Sequence, residues 1–169
     1  IITTIDDSNC WQGDITQEIF LPEGWFMFST YISPENKNID SVLSDVEDNT
    51  IIVKDAEGNV YWPLFNINSI GAITNGHGYY IKMSADETLY VTGQAIDSNY
   101  PINIPDGWFI IGYLHQTPAP TNDMMAPIED NMVIIKDYAG NVYWPTYGVN
   151  SLGNMQPGWG YYMKTNGSM

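Results

Sequence analysis

The residues of this chain whose side chains could perform chemistry are few: two histidines, one cysteine and a surplus of carboxylates. A hydrolytic nucleophile needs a base beside it and a third group to orient that base. His77 and His115 bring no such arrangement, and no G-x-S-x-G elbow occurs. Cys10 has no neighbouring histidine in the sequence and reads as a structural thiol. The acids raise two other chemistries. In "DAEGN", Asp55, Glu57 and Asn59 alternate around Gly58, and calcium takes roughly six to eight oxygens from a compact loop. No D-x-D-x-D-G run surrounds them and no bidentate glutamate follows. A hairpin turn accounts for the stretch: Asp opens it, Gly takes positive φ and Asn tolerates it. A glycosidase needs two carboxyls at a fixed separation, and the sequence singles out no pair. The expectation is no catalytic residue and no cofactor, with Asp55, Glu57 and Asn59 as candidates for Ca2+.

The same hairpin phrase occurs twice. "IVKDAEGNVYWP" (52–63) is answered by "IIKDYAGNVYWP" (134–145). "LPEGWFMFSTYI" (21–32) is answered by "IPDGWFIIGYL" (104–114), "NINSIG" (66–71) by "GVNSLG" (148–153), and "GHGYYIKM" (76–83) by "GWGYYMKT" (158–165). The offset is 83 at Gly24/Gly107 and 82 from Asp48/Asp130 onward. This pattern reads as duplication of a whole unit with its order kept. A site belonging to that unit must then appear twice. His77 is matched by Trp159, His115 falls in a divergent connection, and Glu57 is matched by Ala139.

The matched residues are of other kinds. Lys54 answers Lys136 and Lys82 answers Lys164. They are expected to pair with Asp55, Asp137 or a neighbouring strand's acid, their stems covering an aromatic ring. Tyr61-Trp62-Pro63 and Tyr143-Trp144-Pro145 leave the two hairpins. Alternation puts Tyr and Trp on opposite faces, so one of each pair is expected in the core and the other wet. Exposed Trp and Tyr are platforms for sugar rings or protein contacts. Tyr61, Trp62, Tyr143, Trp144, Trp159 and His115 are therefore the candidates for ligand or partner contact. Trp25 and Trp108 follow the turn glycine and read as equivalent core anchors.

Composition narrows the partners. The 169 residues include 20 acids, five lysines and no arginine, giving a net charge of −15 and a pI near 4.1. A phosphate-binding face needs clustered Lys and Arg, so nucleic acid is excluded. The same charge disfavours anionic membranes, and no apolar run reaches the length of a membrane span. Aromatics at 14% and hydrophobics at 44% argue for a packed core. One cysteine leaves no internal disulfide. The chain opens at Ile1 without an initiator Met, which reads as a mature or excised piece of something longer.

Those residues must be positioned mostly by strands. "TIIVKD" and "NVYWP" flank a short Gly-bearing turn and predict a hairpin. "GYYIKM" and "TLYVTG" flank "SADE" and predict a second. "GWFMF" and "GWFII" are apolar on both faces, as expected of central strands. Ile39, Val42, Leu43 and Val46 sit at helical spacing. Pro127 predicts a shorter helix in the second copy. The second copy also lacks a counterpart of "TLYVTG", whereas "IITTIDDSN" (1–9) resembles "LYVTGQAIDSN" (89–99). The N-terminal strand is therefore expected to complete the second copy beside residues 160–164, hiding a sheet edge. The expected fold is all-β with short helices: two tandem pseudo-twofold β-repeats closed into one sandwich or barrel. Residues 1–18 would be the closing strand and linker, 19–100 repeat one and 101–169 repeat two.

"LPEGWFMFSTYISP", "VKDAEGNVYWP", "NSIG", "GHGYYIKM" and "LYVTG" together resemble the duplicated "GWNLIS…GYWVK" β-modules of large secreted and cell-surface proteins of marine Bacteroidota, with similar segments in proteins of their phages. The likeness runs over nearly the whole chain from Ile19 onward, and departs from the pattern where Phe26 and Phe109 stand for a usual Asn. It implies a non-enzymatic, acidic, structural or adhesion module of an extracellular, cell-surface or virion-surface assembly. Its partners would be other protein subunits or surface glycans. A carbohydrate-binding module using exposed Trp and Tyr is the first alternative, and a glycosidase the second.

Overall fold

The computed structural model describes residues 13–169. It is mostly β, with several antiparallel sheets and short helices, in keeping with the sequence. The first half holds β1 (Ile15–Leu21), β2 (Gly24–Phe28), β3 (Ile32–Ser33), α1 (Ile39–Val42), β4 (Thr50–Lys54), β5 (Val60–Trp62), β6 (Ile67–Asn68), β7 (Tyr79–Met83) and β8 (Glu87–Ala95). The second holds β9 (Gly107–Gly112), β10 (Ala119–Pro120), α2 (Thr121–Met125), β11 (Met132–Lys136), β12 (Val142–Trp144), β13 (Val149–Asn150), β14 (Asn154–Met155) and β15 (Gly160–Thr165). Among the described residues, no helix is long and apolar enough to cross a membrane.

Two five-stranded sheets carry the architecture. Their orders are β2-β7-β4-β5-β6 and β9-β15-β11-β12-β13, so strands that answer each other in sequence occupy the same places. Register agrees as well. Trp25 pairs with Lys82 and Trp108 with Lys164, and each sheet has an irregularity at the same point, between Thr50 and Ile52 and between Met132 and Ile134. The hairpins β4–β5 and β11–β12 form as the turn residues predict, with Gly58 and Gly140 at φ of 92° and 90°. Ile39, Val42, Leu43 and Val46 are all buried, on α1 and the 3-10 turn that follows it.

A third sheet, β1-β8-β3, lies against the first half. Ile19 and Leu21 of β1 and Leu89 and Val91 of β8 join Phe26, Phe28, Val53, Ile81 and Met83 in one core. A second core gathers Phe109, Ile111, Tyr113, Met132, Ile135, Tyr161 and Met163. There, Ile104 and Met169 exchange two backbone hydrogen bonds of 2.8 Å. They stand at the sequence counterparts of Leu21 and Glu87, which pair in β1–β8.

The two large sheets meet through a reciprocal junction. Phe28 bridges Trp159 and Ile111 bridges His77. The Ser29 amide donates to the Gly158 carbonyl at 2.9 Å, and the Gly112 amide donates to the Gly76 carbonyl at 2.8 Å. Each contact is the other's sequence counterpart. The Ser29 hydroxyl donates to the Trp159 carbonyl at 2.6 Å and accepts from the Tyr113 amide at 3.1 Å. Gly78 sits inside this junction: a Cβ there would lie 2.6 Å from Ile110 Cγ2 and 3.1 Å from Gly160 Cα.

Several expectations need correction. β7 and β8 are not a hairpin; β8 leaves for the third sheet and pairs with β1 and β3. β2 and β9 end their sheets instead of lying centrally. Their second apolar face is explained by Met27 and Ile110, both buried. α2, with five residues, is not shorter than α1, with four, because Pro127 enters the following 3-10 turn at its start. No sheet among the described residues closes into a barrel. The expected closing strand, like Cys10, lies outside the described residues. Among the described residues β15 pairs with β9 on one side and β11 on the other.

Gly78→Ala is expected to cost about 1–3 kcal/mol, because backbone and a buried side chain must shift to admit one methyl group. Chemical denaturation checks this; an unchanged midpoint would mean that the junction is looser than described.

Candidate functional site

The candidate site is the outer face of the two large sheets. Alternation along β2 sends Phe26 into the core and Trp25 outward. In β7, Tyr79, Ile81 and Met83 are buried while Tyr80 and Lys82 face out; in β15, Tyr161 and Met163 are buried while Tyr162 and Lys164 face out. Trp25 and Trp108 are 44% and 42% exposed, so the expectation that they anchor the core is wrong. They are equivalent, but equivalently wet. Two consecutive aromatics of a strand face opposite sides, and the core takes Phe26 and Phe109.

Each exposed indole is gripped by two lysines. Lys54 and Lys82 Nζ lie 5.3 and 5.7 Å from the Trp25 ring centre. Lys136 and Lys164 Nζ lie 5.2 and 6.0 Å from that of Trp108. The expected lysine–aspartate pairs do not form. Asp55 caps its own turn, accepting from the amides of Glu57 at 3.0 Å and Asn59 at 2.7 Å and from Asn59 Nδ2 at 2.7 Å. Asp137 does the same with Ala139 and Asn141. Among the described residues these four ammoniums therefore have rings beside them and no carboxylate partner. An ammonium over an exposed ring gains about 0.5–1 kcal/mol. The fifth lysine, Lys37, donates to Asn75 Oδ1 elsewhere.

The junction joins both grips into one surface. Trp25 meets Tyr80 at 6.0 Å, Tyr80 meets Tyr162 at 6.1 Å, and Tyr162 stacks on Trp108 at 4.4 Å. Burial and the neighbouring Tyr162 hydroxyl hold the Tyr80 hydroxyl above its usual pKa, so it remains a neutral donor. Aromatics continue the face outward. Trp62 and Trp144 are half-buried on the outer side, each edge-on at 4.6 Å to Phe65 or Tyr147, which are 57% and 68% exposed.

The other candidates lie elsewhere. Tyr61 and Tyr143 are buried on the inner face. The Tyr143 hydroxyl donates to Glu129 at 3.0 Å. Burial first, and then Glu47, push Tyr61 up to about 12; Tyr143 is raised by burial and Glu129. Trp159 is not a free surface residue: it packs edge-on against Phe26 at 5.8 Å and Tyr138 at 5.2 Å between the two halves. Its counterpart His77 meets Phe109 at 4.8 Å, and burial lowers its pKa against the opposing pull of Glu57 and Asp55. His115 stacks on Tyr113 at 5.3 Å, away from the outer face. Asp55 and Asn59 hold the hairpin turn; among the described residues no three acidic, His or Cys side chains group as a metal site.

No family model, no curated protein and no solved structure matches the chain.

Sequence reasoning named Trp62 and Trp144 as contact candidates and did not name Trp25, Tyr80, Trp108 and Tyr162, which share the outer face. The missed signal was the matched lysines: with Trp25 opposite Lys82 in register, a charged partner places the indole at the water-facing side.

Trp25→Ala and Trp108→Ala are each expected to cost about 1 kcal/mol or less, the loss of an exposed cation–π contact. Phe26→Ala and Phe109→Ala are expected to cost about 3–5 kcal/mol. Denaturation midpoints separate the two classes, and equal losses would return the tryptophans to the core. Raised tyrosines also fix a pH response. Because the folded pKa of Tyr61 lies above the unfolded value near 10, its contribution is complete below pH 10 and lost as pH rises toward 12. Stability is expected to fall across that window, and Tyr61→Phe to shrink the fall; pH titration of the urea midpoint measures both.

Proposed function

We propose that this chain is a non-enzymatic module of an extracellular, cell-surface or virion-surface assembly, and that its outer face is where it adheres. In this reading, two copies of one half-unit are related by a pseudo-twofold through the Gly78 junction. The duplication exists to display two lysine-gripped indoles side by side. One observation carries the proposal: Trp25 and Trp108, large apolar side chains, stand exposed at matched places with matched lysines on them. A large exposed aromatic surface of this kind marks a contact site. A scaffold without such a task could place polar residues there at little cost.

Subunit contact and glycan contact both belong to this reading. The row of rings, exposed at Trp25 and Trp108 and partly buried at Tyr80 and Tyr162, favours the carbohydrate-binding alternative over a purely structural module, since sugar rings pack on indole and phenol faces. The glycosidase alternative draws nothing from this face, which carries lysines and aromatics in place of converging carboxyls.

Retention of the purified protein on a glycan array and on immobilised copies of itself covers both partner classes. The double variant Trp25→Ala/Trp108→Ala is expected to lose at least about tenfold in retention on whichever surface the wild type binds. Its melting temperature should stay close to that of wild type. Retention unchanged in the variant would overturn the proposal, as would glycan hydrolysis abolished by a single Asp or Glu substitution.

A further inference from the structure

The charge on the outer face points to a narrower ligand. Four of the five cationic side chains in a chain of net charge −15 stand on this one face. If the rings alone mattered, the lysines would be dispensable. If the lysines served stability alone, acids from the abundant supply would sit beside them. Among the described residues no carboxylate pairs with them: Asp55 and Asp137, next in sequence to Lys54 and Lys136, are hydrogen-bonded within their own turns.

We infer that the Trp25–Tyr80–Tyr162–Trp108 row, with Lys54, Lys82, Lys136 and Lys164, binds an anionic glycan: a polysaccharide bearing carboxylate or sulfate groups. This inference rests on the adhesive reading of the same face. The rings supply apolar surface for the sugar, and the ammoniums supply point charges that need only approach an anion, without the planar fork that arginine would impose. Because the grips are equivalent and Tyr80 and Tyr162 adjoin, one polymer chain can engage both at once. The second contact is then intramolecular and strengthens binding without new chemistry. The net negative charge does not forbid this. At physiological ionic strength, charges beyond roughly 8 Å are largely screened, so a polymer on the face responds mainly to the four ammoniums. That remote charge instead discriminates, since an anion off the patch meets a surface with 20 acids and one lysine, Lys37, to draw on.

An acidic protein segment, including the acid-rich surface of a second copy, is the competing occupant. It would satisfy the lysines equally well, but it gives the row of rings no sugar plane to receive. The rings therefore decide in favour of a glycan.

The test uses the intact chain at about 0.15 M salt. Four probes are compared by calorimetry or biolayer binding: a polyuronate, dextran sulfate, neutral dextran and poly-glutamate. Measurable binding is expected to the polyuronate or dextran sulfate, with neutral dextran and poly-glutamate at least about tenfold weaker. Trp25→Ala/Trp108→Ala and Lys82→Gln/Lys164→Gln are each expected to weaken binding by about tenfold or more, and the lysine pair to flatten its salt dependence. Tyr90→Ala, an exposed aromatic on β8 away from the face, should leave it unchanged. Poly-glutamate or neutral dextran bound as tightly as the acidic polysaccharides would overturn the inference, as would binding insensitive to the lysine pair. If no polysaccharide binds while the tryptophan pair still abolishes retention on another surface, this inference fails and the adhesive reading stands. If neither responds, both fail.

Discussion

The reciprocal junction between the two large sheets is the constraint on which the rest depends. At the edges where β2 and β9 end, backbone groups find partners in the opposite half. Ser29 reaches Gly158 and Gly112 reaches Gly76, so these two amides are paired across the junction, as buried backbone donors must be. The approach is close enough that a Cβ on Gly78 would meet Ile110 and the Gly160 backbone. Glycine is used here for clearance.

That junction has a consequence on each side of the sheets. Inside, it brings the hairpin turn of one half onto the core of the other. Tyr138 lies 4.6 Å from Phe26, whereas its counterpart Ala56 packs beside the second core. Tyr138 and Trp159 line a cavity of about 240 Å³ over Phe26, and Glu57, Ile104 and Met169 line one of about 460 Å³ over Phe109. Outside, the same junction sets Tyr80 against Tyr162 and turns two separate indole grips into one surface. Core packing and the outer aromatic face are two results of one backbone contact.

The distribution of charge follows a similar economy. Acids are abundant and occupied locally, closing turns at Asp55 and Asp137 or receiving the Tyr143 hydroxyl at Glu129. Lysines are rare and four of them are given to rings. A lysine stem covers apolar surface while its ammonium stays wet, so the grip protects an exposed indole without hiding it. This arrangement keeps a large aromatic group soluble and available.

The sequence by itself determined the local elements. Gly58 and Gly140 dictated the hairpins, because only glycine takes positive φ without strain. The spacing of Ile39, Val42, Leu43 and Val46 placed the helical segment, and alternation set Tyr61 and Trp62, like Tyr143 and Trp144, on opposite faces without deciding which of each pair is inside. It also made plain that the two halves follow one design. What it left open was which strand meets which. The short "SADE" link looked like a hairpin, but the apolar side of β8 is needed against β1, and burial outweighs the local turn. The edge position of β2 and β9, and with it the exposure of Trp25 and Trp108, depended on where the two halves join. Alternation allows either of two adjacent aromatics to face water. Only the packed structure, by giving Phe26 and Phe109 to the core and setting lysines on the indoles, decided which.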